Sequence, residues 1–180
     1  MSPRYSLPAI GFHWLIAALI LGNLAFGWII ADLPLSPAKL KDLAWHKWIG
    51  ITVLWLSGLR LLWRLWAPRP AVLASHADWE KHLATLAHLA LYVLMFALPL
   101  SGWLMSSAAG VPVHYLDLFV LPDLLPRDRE LAAMLKNAHG VIALGLTGVI
   151  ALHILGAVKH HLIDRDSTLA RMLPLARRPT

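Results

Sequence analysis

A bundle of four membrane-spanning helices is the all-α fold this sequence predicts, and three observations predict it. Of its 180 residues, 58% are hydrophobic and only 14% charged, whereas soluble domains average about 25% charged and roughly 45–50% apolar. Mean hydropathy is +0.62. The apolar residues gather in four stretches of the length a helix needs to cross a hydrocarbon core, about 20 residues. So little charge cannot cover a soluble domain of this size, and the same arithmetic excludes disorder, collagen and a coiled coil. The whole chain, 1–180, reads as a single domain. Ten histidines and no cysteine remain to be explained. Without cysteine there are no disulfides, thiolate metal sites or cysteine-held clusters. Ionisable side chains inside a membrane are costly and usually functional.

The first apolar stretch covers residues 10–31 and contains His13 and Trp14. It exceeds the roughly 7–15 apolar residues of a signal peptide, so it reads as a retained span. Asp32-Leu33-Pro34-Leu35-Ser36-Pro37 breaks the chain before the second span, 45–66, and Ala67-Pro68-Arg69-Pro70 ends that one. The third span is 86–105. A long connection, 106–137, holds Pro112, Pro122 and Pro126 and is expected to fold into short surface helices. Residues 128–137 read as a helical lead-in to the fourth span, 138–162. No internal repeat stands out, and residues 177–180 read as a frayed tail.

Charge sets the orientation. Ten of the 16 Lys and Arg residues fall on the side of the two termini and the second connection, and six on the other. With the acidic residues subtracted, the two sides carry +6 and 0. Both termini are therefore expected in the cytoplasm. The basic excess is a topology signal and an attraction to anionic membrane lipid, and no nucleic-acid surface is read from it. Trp14, Trp63 and Trp66 near one face, with Trp28, Trp45, Trp48 and Trp103 near the other, suit two aromatic belts.

The histidines fall at matching depths. His139 and His153 are 14 residues apart, hence within about 40° of one helix face and about 21 Å apart along the axis. Up-and-down order brings His13 to the depth of His153, and His46 to that of His139. Two imidazole pairs, one per leaflet, are what two bis-histidine haems in a four-helix bundle require. A zinc site would gather three ligands at one depth. A proton or cation transporter would carry acidic residues inside its spans, and none is there. Gly50, Gly140, Gly145, Gly148 and Gly156 suit either a flat macrocycle or close helix contact. Arg60, 14 residues after His46, reads either as a clamp for the propionates of the inner haem or as a snorkelling cation, and Arg64 as the latter. His88 and His160 read as spare axial ligands, as contacts for haem or quinone, or as interfacial residues. His76, His82, His114 and His161 fall at ends or in loops.

Five segments together resemble the bacterial di-haem cytochrome b561 family. They are Leu7-Pro8-Ala9-Ile10-Gly11-Phe12-His13-Trp14-Leu15, Arg60-Leu61-Leu62-Trp63-Arg64-Leu65, Ala97-Leu98-Pro99-Leu100-Ser101-Gly102, His139 with His153, and Asp166-Ser167-Thr168-Leu169-Ala170-Arg171-Met172-Leu173-Pro174. The resemblance spans nearly the whole chain, and the loop 112–136 holds no motif of it. It implies a multi-pass protein of the bacterial inner membrane with two b haems, exchanging electrons between the periplasmic side and ubiquinone. It assigns His13 with His153 to the inner haem iron and His46 with His139 to the outer one. One branch of the family is a superoxide oxidase, passing the electron of superoxide to ubiquinone, so superoxide or another periplasmic donor is the expected partner. Lys47 and Lys136 would then attract the anion, and quinone would be reduced near His88 or His160. Two rivals remain: an electron-transfer anchor subunit of a larger redox complex, and a non-haem four-helix transporter or metal-binding protein.

Overall fold

The computed structural model describes residues 4–67, 70–71 and 77–174. Four helices, α1 (Leu7–Asp32), α2 (Pro37–Trp66), α3 (Asp78–Ala108) and α4 (Arg129–Leu162), each contain one of the apolar stretches and extend beyond it. All four are long and apolar enough to cross a membrane. Between α3 and α4 lies a β-hairpin, β1 (Val113–Tyr115) with β2 (Phe119–Leu121), and a single 3₁₀ turn, Ala170–Met172, follows α4. His76 and residues 177–180 lie outside the described residues.

Local chemistry explains the ends. Ser36 Oγ accepts from Lys39 N–H at 3.2 Å, and Pro37 opens α2 where its missing N–H costs nothing. Asp128 accepts from the N–H groups of Glu130 and Leu131 at 2.9 and 3.0 Å, which starts α4 nine residues before the expected span, as a lead-in would. Glu80 accepts from Ala77 N–H at 3.0 Å and starts α3.

The long connection is the place where expectation fails. Residues 113–121 form a two-stranded sheet with Val113 opposite Leu121, not short helices. Its two inward residues, Val113 and Leu121, bury against Ile51 of α2, and this packing rather than any local turn signal selects the strands.

α1 packs on α2, α2 on α3 and α3 on α4, while contact between α1 and α4 is no more than marginal. One apolar cluster joins all four helices at mid-height: Ile16 and Ile20, Val53, Met95 and Leu146. The other large apolar side chains mostly point outward, among them Leu59, Leu62, Val141, Leu152 and Leu155, as a bundle solvated by lipid requires. We call the end holding His13 and His153 inner, and the end holding His46 and His139 outer. The inner end is tied by the chain's own extremities. Tyr5 N–H donates to Arg171 O, Arg4 to Leu173 O and Trp14 Nε1 to Met172 O, and Arg171 is buried and donates to Ala71 O.

Candidate cofactor site

Three layers of four residues, spaced seven apart on every helix, organise the interior. The middle layer is Ile20, Val53, Met95 and Leu146. Seven residues outward stand Gly27, His46, Gly102 and His139. Seven inward stand His13, Arg60 and His153, partly buried, with His88 exposed at the rim of that layer. A step of seven residues returns a helix to nearly the same face and rises about 10.5 Å, so the outer and inner layers lie about 21 Å apart.

In the outer layer the rings of His46 and His139 stand 6.3 Å apart, tilted by 78°. A cavity of about 490 Å³ surrounds them, floored by all four middle-layer residues. A methyl group at Gly27 would lie 2.9 Å from His46 Cε1, and one at Gly102 3.2 Å from His139 Cε1, so both rings rest against bare backbone. Ser101 Oγ donates to Leu98 O at 2.7 Å. Its one proton being used, the oxygen accepts from His139 Nδ1–H at 2.9 Å, and this leaves the Nε2 lone pair of His139 free for a metal. His46 Nδ1 is buried with no hydrogen-bond partner, while Asn23 Nδ2 donates to the His46 carbonyl at 3.2 Å and holds the helix beside it. Lys39, Lys47 and Lys136 all line this cavity.

The inner layer is built differently. His13 and His153 stand 6.2 Å apart, and His88 adds a third ring 5.4 Å from His153. Arg60 Nη2 donates to His13 Nδ1 at 3.2 Å. The guanidinium groups of Arg60 and Arg64 lie 5.6 and 5.1 Å from the ring centre of Tyr92, so both rest on its aromatic face. A cavity of about 120 Å³ opens beside Arg60, Arg64, His88 and Tyr92.

A metal held between two imidazoles, with bonds of about 2.0–2.1 Å, sets the ring centres roughly 6 Å apart. Both pairs meet that spacing, and the outer cavity falls within the roughly 300–1,000 Å³ of cofactor sites. The donor sets therefore fit a bis-histidine metal centre at each level. His160 lies outside both cavities, with Nδ1 2.8 Å from Asp164 and 3.0 Å from Asp166. His82, His114 and His161 are exposed.

Gly27 and Gly102, rather than the glycines of α4, meet the rings; a methyl at Gly140, Gly145, Gly148 or Gly156 would touch nothing within 4 Å. No other element packs closely on those four, and Gly140, with Gly50, lines the outer cavity. A signal for Gly27 and Gly102 existed too: Gly27 follows His13, and Gly102 follows His88, by the same 14 residues that separate His46 from Arg60 and His139 from His153.

Residues 4–175 match the family model described as prokaryotic cytochrome b561. Among curated proteins, the cytochrome b561 homolog 2 of Escherichia coli (strain K12) is 35% identical over 171 residues, covering 94% of this chain and 91% of that protein. A probable superoxide oxidase CybB of Yersinia pestis is 31% identical over 182 residues, with 98% and 99% covered. The cytochrome b561 homolog 1 of E. coli is 30% identical over 175 residues, with 95% and 97% covered.

Proposed function

The chain belongs to the prokaryotic cytochrome b561 family, multi-pass electron-transfer proteins of the bacterial inner membrane, and from that premise we propose a di-haem cytochrome that carries electrons from superoxide, on the periplasmic side, to ubiquinone. Haem b binding and electron transfer come with the family; the number of haems, the donor and the acceptor are the proposal. The observation that carries it is the pair of imidazole couples with nearly equal ring separations, 6.2 and 6.3 Å, on opposite sides of an apolar layer. Haem supplies one-electron chemistry at each of them.

The protein's own groups do the rest. His46 and His139 hold the outer iron, and Ser101 fixes the tautomer of His139. His13 and His153 hold the inner iron, with Arg60 beside them to take a propionate. Ile20, Val53, Met95 and Leu146 keep water out of the space between the two levels. Lys39, Lys47 and Lys136 give the outer cavity a positive field that attracts superoxide. Ubiquinone meets the inner cavity at His88, while the other candidate contact, His160, is held outside that cavity by Asp164 and Asp166. Both termini face the cytoplasm, and the whole chain acts as one domain.

Haem quantification on purified protein tests the cofactor reading, with two b haems per chain expected. Stopped-flow mixing with superoxide and a soluble ubiquinone then tests the reaction: quinol should form faster than with haem-free protein. If the reduced protein only accumulates and quinone stays oxidised, the acceptor is wrong. If superoxide decays no faster than in buffer, the donor is wrong.

A further inference from the structure

The hairpin between α3 and α4 carries more apolar surface than a solvated loop should. Leu118 is 76% exposed, Phe119 and Val120 are each 53% exposed, and Leu116 is 45% exposed. The three-residue loop is strained as well, with Leu116 and Asp117 at φ of 51° and 56°, where L side chains rarely sit.

Its depth is set by what holds it. On α2, Trp48 Nε1 donates to His114 O, Ile51 packs on Val113 and Leu121, and Thr52 Oγ1 lies 2.9 Å from the Tyr115 hydroxyl. Trp45 and Trp66, both exposed, mark the two ends of the α2 span. They are 21 residues apart, about 31 Å along a helix, close to the roughly 30 Å of a hydrocarbon core. Trp48 to Thr52 therefore lie about 5–10 Å inside the outer belt, the depth at which interfacial elements bury their apolar faces. Exposed Trp55, Leu59 and Leu62 carry the apolar surface on down α2 from there.

The hairpin is also furnished for a medium poor in water. Trp48 donates to the His114 carbonyl, and Trp103 Nε1 donates to Pro122 O at 3.1 Å. Pro112 and Pro122 remove two N–H groups at its mouth. Non-helical backbone survives at membrane depth only with such groups satisfied and protein behind it.

We infer that residues 113–121 form a re-entrant hairpin whose outward face, Leu118 with Phe119 and Val120, rests in the outer leaflet against the headgroup–acyl boundary. Lipid is the occupant because the face is continuous with the lipid-facing surface of α2. Asp117 is the one charge within the hairpin, and it limits how far the loop sinks.

The absence of cysteine makes the test direct, since one introduced thiol is a unique label. Spin labels at Leu118→Cys and Val120→Cys, in holoprotein reconstituted in lipid vesicles, are compared with Leu59→Cys on the lipid face and Glu130→Cys at the start of α4. The expected result at both hairpin sites is a severalfold higher ratio of oxygen to nickel-chelate collisions than at Glu130, near that of Leu59. Nickel access equal to that at Glu130 overturns the inference in favour of an aqueous loop. Low access to both reagents overturns it in favour of a protein partner or a second copy. Should the labelled variants lose their haem spectrum, hydroxyl-radical footprinting of the unaltered chain decides. Phe119 protected as Leu59 is supports the insertion, and Phe119 oxidised as readily as Tyr5 at the inner end overturns it.

Discussion

The two histidine layers use the same spacing and reach opposite states of readiness. In the outer layer two glycines face two histidines, so the rings sit in open space with one tautomer set by Ser101. The inner layer replaces both glycines with histidines, His13 and His88, and the outer layer's His46 with Arg60. There Arg60 donates to His13 Nδ1, so that ring's proton must sit on Nε2. Ligation through Nε2 requires Arg60 to let go of His13. A carboxylate is the partner that would draw a guanidinium away, and each haem brings two of them as propionates. The outer layer is prepared by what the helices leave out, and the inner one by a charge that must move.

The most severe way to break this contrast is to remove one ligand from each layer. His139→Ala should abolish the outer haem and keep the inner, and His153→Ala the reverse. Haem per chain then falls to half in each variant, read by pyridine haemochrome assay. Two full haems in either variant would refute the pairing. Next in size is Gly27→Val, whose branch point would fall 2.9 Å from His46 Cε1. It should strip or distort the outer haem alone, whereas Gly148→Ala, with open space around it, should leave the visible spectrum unchanged. Ser101→Ala removes only the orienting oxygen, and outer haem affinity should drop about 10–100-fold, measured by haem transfer to an acceptor protein. Smallest is Arg60→Gln. Loss of a positive charge favours the oxidised iron, so the inner midpoint potential should fall by on the order of 60 mV, a tenfold shift in a one-electron equilibrium. A redox titration in which the outer potential moved instead would invert the assignment of Arg60.

Much of this interior was legible because its chemistry and its geometry share one number. Fourteen residues bring a helix back to nearly the same face, and His139 with His153, or His46 with Arg60, announce themselves through side chains that are expensive in a membrane. The matching steps from His13 to Gly27 and from His88 to Gly102 are just as regular. They passed unread because glycine carries no functional group, and its role appears only once another helix puts a ring against it. The four-residue middle layer stayed hidden for a related reason: in spans made of Leu, Ile and Val, every register offers a plausible apolar row. The hairpin was least legible. Neither strand exceeds three residues, the loop holds no glycine, and Leu116 and Asp117 adopt a backbone their side chains disfavour. What selects that conformation is Ile51, more than sixty residues away in the chain.

His139 and His153 both stand on α4, the last of the four helices. Each ring couple thus joins α4 to α1 or α2, and a chain without α4 contains no couple at all. On the proposed ligand pairs, cofactor capture would follow insertion of α4. The strap of residues 171–173 over Arg4, Tyr5 and Trp14 closes the inner end only after that. On the ligand pairs proposed above, a chain that stops before α4 would hold haem at neither level.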